Sequence, residues 1–455
     1  MTLPTFPDLS TFTRSCKDES KRIAVENPAT GETLTTIQAG DASTVDEAVK
    51  ASQKAFTSRW RSLAPSERSA LLFRCADALE THADELATIL CLENGKPRQD
   101  ARAYDVNFLV GVFRYFASIC DKLPSEFYDR GSTYCTVFYE PQGVCCGILP
   151  FNWPPIHTGG RIVEILQTVL PQNVVQVVPG LGPEVPQALI EHPMVRMVSF
   201  TGSTRAGAAV AKTASASITP VVLELGGKNA YVVLEDADFD LAVRDALDGA
   251  FFNKGEACTA TSRLLIHRNL YDPFVEKLAA GVKKLKAGNG MDPKTHVGPQ
   301  ISRAQQKRVL EFIELGKAEG ARVVAQAQLS TEDECKDGFF APATLLADVK
   351  EDMRVFKEEM FGTIVTVTPF DDFEHGFCLA NNTEYGLTAA VYTKDSLQAS
   401  RAVRALESGM VWVNNYNRNV LGTPFGGMKH SGYAREHTIE TLKEWCSAKW
   451  TGTPG

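Results

Sequence analysis

Apolar and polar positions along this chain repeat with two different periods, and the switches between them mark a succession of short strands and helices. Residues 23–37 hold β-like runs broken by Asn27, Pro28 and Gly31, which predicts a hairpin. Over 43–56, Val45, Ala48, Val49 and Phe56 share one helical face, interrupted by Ser52, and Thr44 with Glu47 is spaced as a capping box. Leu71, Leu72, Cys75, Leu79, Leu86 and Leu90 predict a single helix across 65–91 with Pro65 in its first turn. A further helix covers 103–119.

The pattern then turns to β at 132–139 (STYCTVFY) and 143–149 (GVCCGIL), with a Pro-Gln-Gly turn between. The second run ends in PFNWPP, 150–155, where three prolines rule out a helix and favour a loop at a strand's carboxyl end. In parallel α/β folds ligands sit at that edge. A helix-like run from Ile162, a strand at 174–178, a helix at 184–191, a strand at 195–200 running into TGSTRAG, a helix at 206–214 and a strand at 220–225 follow. This alternation argues for an α/β class with a parallel sheet. It continues through 251–263 (FFNKGEACTATSR), helices near 271–287 and 302–319, and the strings EEMFG (358–362), NNTEYGL (381–387), WVNN (412–415) and PFGGMKHSG (424–432). No internal repeat or low-complexity tract interrupts it.

The length of 455 residues allows two or three domains, and 44% hydrophobic with 22% charged residues is the balance of a soluble globular protein. A net charge of −8 leaves no basic footprint, so nucleic acid is excluded as the expected partner and small molecules are favoured. No apolar run is long enough for a membrane helix, and the polar start lacks the pattern of a signal peptide; the expected location is the cytoplasm. The 11 cysteines form no CxxC pair, which points to reduced thiols and to no metal site.

Within 251–263, Cys258 stands among small neighbours that leave a thiol reachable, as a nucleophile requires. Taken alone, the same string fits an inert buried cysteine. Asn152 beside its prolines fits a loop-capping amide, and Glu224 at a strand end fits a solvated or paired carboxylate.

Together the strings PFNWP, FTGS, LELGGK, FNKGEAC, EEMFG and PFGG, in this order, resemble the aldehyde dehydrogenase superfamily along nearly the whole chain, and Glu224 and Cys258 have that family's usual separation. The resemblance implies a Rossmann-type cofactor domain, an α/β catalytic domain and a small β oligomerisation arm. The corresponding divisions are 1–122 with 142–226 for the cofactor domain, 227–430 for the catalytic domain, 431–445 as a return to the cofactor domain, and 123–141 with 446–455 for the arm. It implies NAD(P)-dependent oxidation of an aldehyde to a carboxylic acid. Cys258 is then the nucleophile, Asn152 the oxyanion donor and Glu224 the general base. Gly202, Ser203, Gly207, Leu225, Gly226, Glu359 and Phe361 would hold NAD or NADP, with NAD favoured. Trp153, Ala257, Thr259, Arg418 and Asn419 would line the substrate tunnel, Arg418 as a clamp for a polar or carboxylate-bearing aldehyde. A homodimer or homotetramer is implied.

The chain departs from the family in one large respect. Only 50 positions separate Asn152 from Gly202, about 25 fewer than the family's usual spacing, and the missing stretch after Gly160 would carry a strand and a KPxE motif of the nucleotide fold. Its loss predicts an exposed sheet edge or a shift of later segments, and weaker cofactor binding. A cofactor-impaired or non-catalytic binding protein is therefore the alternative reading. Smaller departures are Thr363 in place of proline and Glu256 in place of glutamine; a carboxylate at 256, if close to the sulfur, would raise the thiol pKa.

Overall fold

The computed structural model describes residues 21–180 and 182–455; the polar leader lies outside them. Five sheets form among these residues, three of them with three or more strands. The largest has seven strands in the order Arg322–Gln326, Thr344–Ala347, Ile364–Phe370, Arg263–His267, Ala230–Val233, Thr388–Tyr392 and Met410–Val413, parallel except for the first pair. Its central strands read AYVV, TLLA and TAAVY and are buried throughout, as strands covered on both faces must be. Tyr231 stacks on Tyr392 at 4.5 Å in this core, and each hydroxyl finds an acceptor, Ala242 O and Asp245 Oδ2. A separate antiparallel sheet joins Cys446–Pro454, Thr133–Pro141 and Glu126–Asp129.

The sheet next to the candidate cofactor residues is smaller. Val144–Ile148, Val195–Thr201 and Val221–Glu224 lie side by side in parallel, and Gly432–Tyr433 adds an antiparallel edge. The strand expected at 174–178 does not form. A strand exists only with a ladder partner, and among the described residues no strand pairs with the outer edge of Val144–Ile148. Residues 174–178 are held by side chains and turns instead: Gln176 Nε2 donates to Ala48 O at 2.7 Å and to Ser52 Oγ at 2.8 Å, and Gly40 N donates to Pro179 O at 2.8 Å. The sheet edge exposed by the short Asn152–Gly202 spacing is thus present.

Three helical expectations are corrected. The run 65–91 is two helices, Pro65–Thr81 and Ala83–Asn94, broken at His82, while the buried face of both packs into one cluster that includes Cys75, Leu79, Leu86 and Leu90. That shared face is why the apolar period crosses the break. The cap of Ala42–Ser58 is Asp41, whose carboxylate accepts Thr44 N at 2.9 Å; Thr44 is the third helical residue and answers the Asp41 N–H. Finally, the helix expected from Ile162 starts at Ile156, straight after PFNWPP, and runs to Gln167 through Gly159 and Gly160. Its first turn is capped from outside: Glu93 accepts His157 N at 2.7 Å, Thr158 N at 2.9 Å and Thr158 Oγ1 at 3.0 Å.

Candidate active site

Helix Phe239–Phe251 delivers the chain into an irregular turn, Phe252–Gly255, in which Asn253, Lys254 and Gly255 all have positive φ (46°, 53° and 73°). Glycine is required at the third, because a Cβ on Gly255 would stand 2.0 Å from Gly362 O. The turn is fixed by two amides: Asn253 Nδ2 and Asn152 Nδ2 donate to Glu256 O at 2.8 and 3.1 Å. Cys258 follows, half-buried. Burial pushes its thiol up to about 12, the Glu224 and Glu359 carboxylates push the same way, and the N–H groups of Cys258 and Thr259 oppose them.

Glu256 does not add to that field. Its carboxylate pairs with Lys254 Nζ at 3.0 Å and accepts Ile301 N at 3.0 Å. Two consecutive left-handed residues fold Lys254 back toward it, which linear spacing does not reveal. Thr363, in place of proline, donates its hydroxyl to Ala341 O at 3.3 Å.

Glu224 ends the strand Val221–Glu224 and is buried. Neither carboxylate oxygen has a hydrogen-bond partner among the described residues. Burial raises its pKa to about 9, Glu436 adds to the rise, and Arg435 opposes it. Room for the carboxylate is left by a glycine: a Cβ on Gly426, where φ is 155°, would approach Glu224 Oε1 to 2.8 Å.

The candidate cofactor residues gather at the end of the Glu224 strand, where Gly202 N donates to Glu224 O at 3.0 Å. Ser203 caps helix Thr204–Ser215 and accepts Ala206 N at 3.3 Å, so Gly202 and Ser203 stand where a helix N-terminus offers N–H groups to a phosphate. A Cβ on Gly207 would strike Leu225 Cδ2 at 2.4 Å, so this glycine lets the helix settle on the strand end. Glu359 Oε1 accepts Gly227 N at 2.9 Å. Phe361, with φ 55°, meets the Phe151 ring edge-on at 5.7 Å. Gly227, Ala257, Glu359 and Phe361 line one narrow cleft. These residues fit the nicotinamide and pyrophosphate half of a dinucleotide. The parallel strands step in one direction only, and the open edge of Val144–Ile148 leaves no reversal of strand order of the kind at which dinucleotides sit.

On the substrate side, the Trp153 ring lies 5.9 Å from that of Phe252, and its indole N–H donates to Asp105. Thr259 Oγ1 donates to Asn417 Oδ1 at 2.9 Å, and Tyr416 donates its hydroxyl to Thr259 O. Arg418 and Asn419 are exposed; the Arg418 charge acts on Asp248, and its carbonyl accepts Trp412 Nε1 at 3.3 Å. Residues 416–417, not 418–419, reach the cysteine segment.

Sequence reasoning missed Ser431, Arg435, Glu436, Lys254, Asn94 and Glu93. Ser431 Oγ donates to Gly226 O at 2.6 Å and accepts Gly386 N at 3.0 Å, which seats PFGGMKHSG over the end of the Glu224 strand. The signal was present in the hydroxyl embedded in that glycine-rich string, but its partners lie far away in sequence.

Comparison with known proteins agrees with this geometry. The model of the aldehyde dehydrogenase family matches residues 15–168 and 155–451. The two pieces overlap on the helix Ile156–Gln167, where the shortened spacing lies. The aldehyde dehydrogenase citD of Monascus ruber is 54% identical over 472 positions, covering 98% of this chain and 94% of the relative; 472 exceeds 455, so the relative carries residues with no counterpart here. A putative aldehyde dehydrogenase from Burkholderia cenocepacia superposes with a TM-score of 0.93 at 34% identity, covering 95% and 94% of the two chains. The betaine aldehyde dehydrogenase of Staphylococcus aureus, solved with NAD+, gives 0.93 at 33% identity, covering 96% and 92%. No described helix is long and apolar enough to cross a membrane. The chain belongs to the aldehyde dehydrogenase family.

Proposed function

We propose that the protein oxidises an aldehyde to a carboxylic acid with a nicotinamide cofactor, NAD in preference to NADP, through a covalent adduct on Cys258. The carrying observation is that one half-buried thiol feels two carboxyl groups, the buried Glu224 and the half-buried Glu359, while the Asn152 amide is bonded two residues upstream of it. Cys258 Sγ, as thiolate, adds to the aldehyde carbon and leaves negative charge on oxygen. The Cys258 N–H and the second hydrogen of Asn152 Nδ2 are the donors available to that oxygen, and each such donor contributes about 2.7–4 kcal/mol to the transition state. A bound nicotinamide cofactor supplies the hydride acceptor that leaves a thioester. Glu224, once ionised, takes the proton of the attacking water and releases the acid. Glu359 and Gly202–Ser203 hold the cofactor's nicotinamide ribose and pyrophosphate.

The same reading assigns the cofactor domain to 1–122 and 142–226, the catalytic domain to 227–430 and the arm to 123–141 with 446–455, in a cytoplasmic homodimer or homotetramer. Substrate contact falls to Trp153, Ala257, Thr259 and the loop bearing Arg418 and Asn419. The open edge at Val144–Ile148 favours a second reading, a family member that binds its cofactor too weakly to turn over. Thermal unfolding separates them: a ligand at 100 times its Kd adds about 2.7 kcal/mol, and no shift with millimolar NAD or NADP sinks the dehydrogenase reading.

A further inference from the structure

Four residues close a ring of three hydrogen bonds and one ion pair around the turn that leads to Cys258. Lys254 Nζ stands 3.0 Å from Glu256 Oε2, and neither side chain is exposed. The same ammonium donates to Asn94 Oδ1. Asn94 Nδ2 donates to the Asn152 carbonyl at 3.3 Å, and Asn152 Nδ2 returns to the Glu256 carbonyl at 3.1 Å. The sense of the ring is fixed chemically: an ammonium only donates, so Asn94 must turn its oxygen to Lys254 and its NH2 to Asn152. All four residues are buried. Lys96, paired with Asp105 at 2.8 Å, packs over the Trp153 ring at 4.5 Å beside it, so the PFNWP loop is gripped from both sides.

We infer that Asn94, Lys254 and Glu256 are positioning residues whose ring ties the Asn152 amide to the turn that carries Cys258. The inference rests on the aldehyde-oxidation reading above. Its physical basis is that the turn holds two non-glycine residues in the left-handed region, a conformation that persists only when contacts over-determine it. Asn152 sits on a loop of a different element. Without a link between the two, donor and nucleophile would move independently, and small misplacements at a reacting centre are costly. Lys254 and Glu256 bury their charges only as a pair, and Asn94 passes that pairing on to Asn152.

Two cofactor-free assays on the full-length protein test this. In the first, Cys258 Sγ forms a bond to the acyl carbon of p-nitrophenyl acetate as the ester C–O bond breaks. The thiol proton is given up and p-nitrophenolate leaves in a burst; the step makes an oxyanion. In the second, iodoacetamide alkylates the same thiol and makes none. Asn94→Asp keeps an acceptor for Lys254 and loses the donor to Asn152. It should slow the burst by about 30-fold, part of the roughly 10²–10³ for complete loss of a donor. Alkylation should stay within about threefold, since it needs only the thiolate. Asn94→Ala should match it. Lys254→Gln should slow the burst likewise, and the Lys254→Gln/Glu256→Gln pair should regain most of it, because two amides can close the ring without charge.

Equal slowing of both reactions, an unchanged burst in Asn94→Asp, or a double variant no faster than the single one overturns the ring. If Lys254→Gln fails to fold, the two Asn94 variants decide alone. A wild-type protein that gives the burst and the split but oxidises no aldehyde with NAD would leave the ring standing and remove the reaction assigned above. One that gives neither burst nor alkylation removes both.

Discussion

Glu359 accepts the backbone N–H of Gly227 through Oε1 at 2.9 Å, and its other oxygen lies 2.4 Å from where a Cβ on Gly226 would stand. The carboxylate and the glycine pair therefore fit only together. Gly226→Ala should displace the Glu359 side chain, the flexible party, while leaving the cysteine turn alone. The expected result is an about tenfold rise in the Kd for NAD by fluorescence titration, the worth of one charged hydrogen bond. Cys258 alkylation should be unchanged; a loss in both would place Gly226 in the turn's support rather than in cofactor binding.

The proposed base, Glu224, should give the reaction a pH limb. Its pKa is raised to about 9, chiefly by burial, so the ionised form that can act as a base grows as pH rises through about 9 and is scarce at neutrality. Hydrolysis of an acyl group preloaded on Cys258 should accelerate from pH 7 to 9 and level off above. Glu224→Gln should remove the limb and slow hydrolysis by about 10² or more, within the range for a lost general base. Stopped-flow decay of the preloaded acyl-enzyme reads both, and a limb that survives in Glu224→Gln assigns the base elsewhere.

The proposed nucleophile, oxyanion amide and base could be named only through the ordered family strings, because each short string taken alone also fits a structural residue. The parallel class was legible in the alternation of strand and helix, and the strands expected at 195–200 and 220–225 form and pair in parallel. What failed involved two bodies at once. Residues 174–178 have strand composition but no neighbour to ladder with, so they stay irregular. Glu256 looked like a threat to the thiolate because its distance from Cys258 was counted along the chain; the left-handed turn gives it to Lys254 instead. His82 breaks a helix without disturbing the apolar period on either side.

Glu93 is the cap on which the helix after PFNWPP depends, and it carries a sign that can be measured. Burial, opposed by the His157 and Thr158 hydrogen bonds, raises its pKa from 4.5 to about 7. The folded state thus holds this proton more tightly than the unfolded chain, and the stability it contributes is full below about 4.5 and lost as pH rises through about 7. Wild-type unfolding free energy should carry this falling component between pH 5 and 7, and Glu93→Gln should lack it. Glu93→Ala leaves two buried N–H groups without an acceptor and should cost about 1–3 kcal/mol for each group left unsatisfied. Urea denaturation across that pH range is the measurement, and parallel curves for wild type and Glu93→Gln would exclude the titration.

The open edge of Val144–Ile148 bears on which part of a dinucleotide the protein can grip. Dinucleotide crevices form where strand order reverses, with chain on both sides of the switch. Here the parallel strands proceed only from Val144–Ile148 to Val195–Thr201 to Val221–Glu224, and the helix Ile156–Gln167 returns without adding a strand on the far side. The cleft lined by Gly227, Ala257, Glu359 and Phe361, proposed above for the nicotinamide half, remains. NAD should therefore bind this chain less than about tenfold more tightly than nicotinamide mononucleotide, because the adenosine half gains little buried contact. Thermal shifts at matched concentrations of the two ligands measure the ratio, with stabilisation following RT ln(1 + [L]/Kd). Grafting the additional residues of the Monascus ruber relative between Gly160 and Arg161 should tighten NAD by about 10² or more and leave the mononucleotide unmoved. A hundredfold preference for NAD in the unaltered chain would mean that the adenosine finds a seat other than this edge.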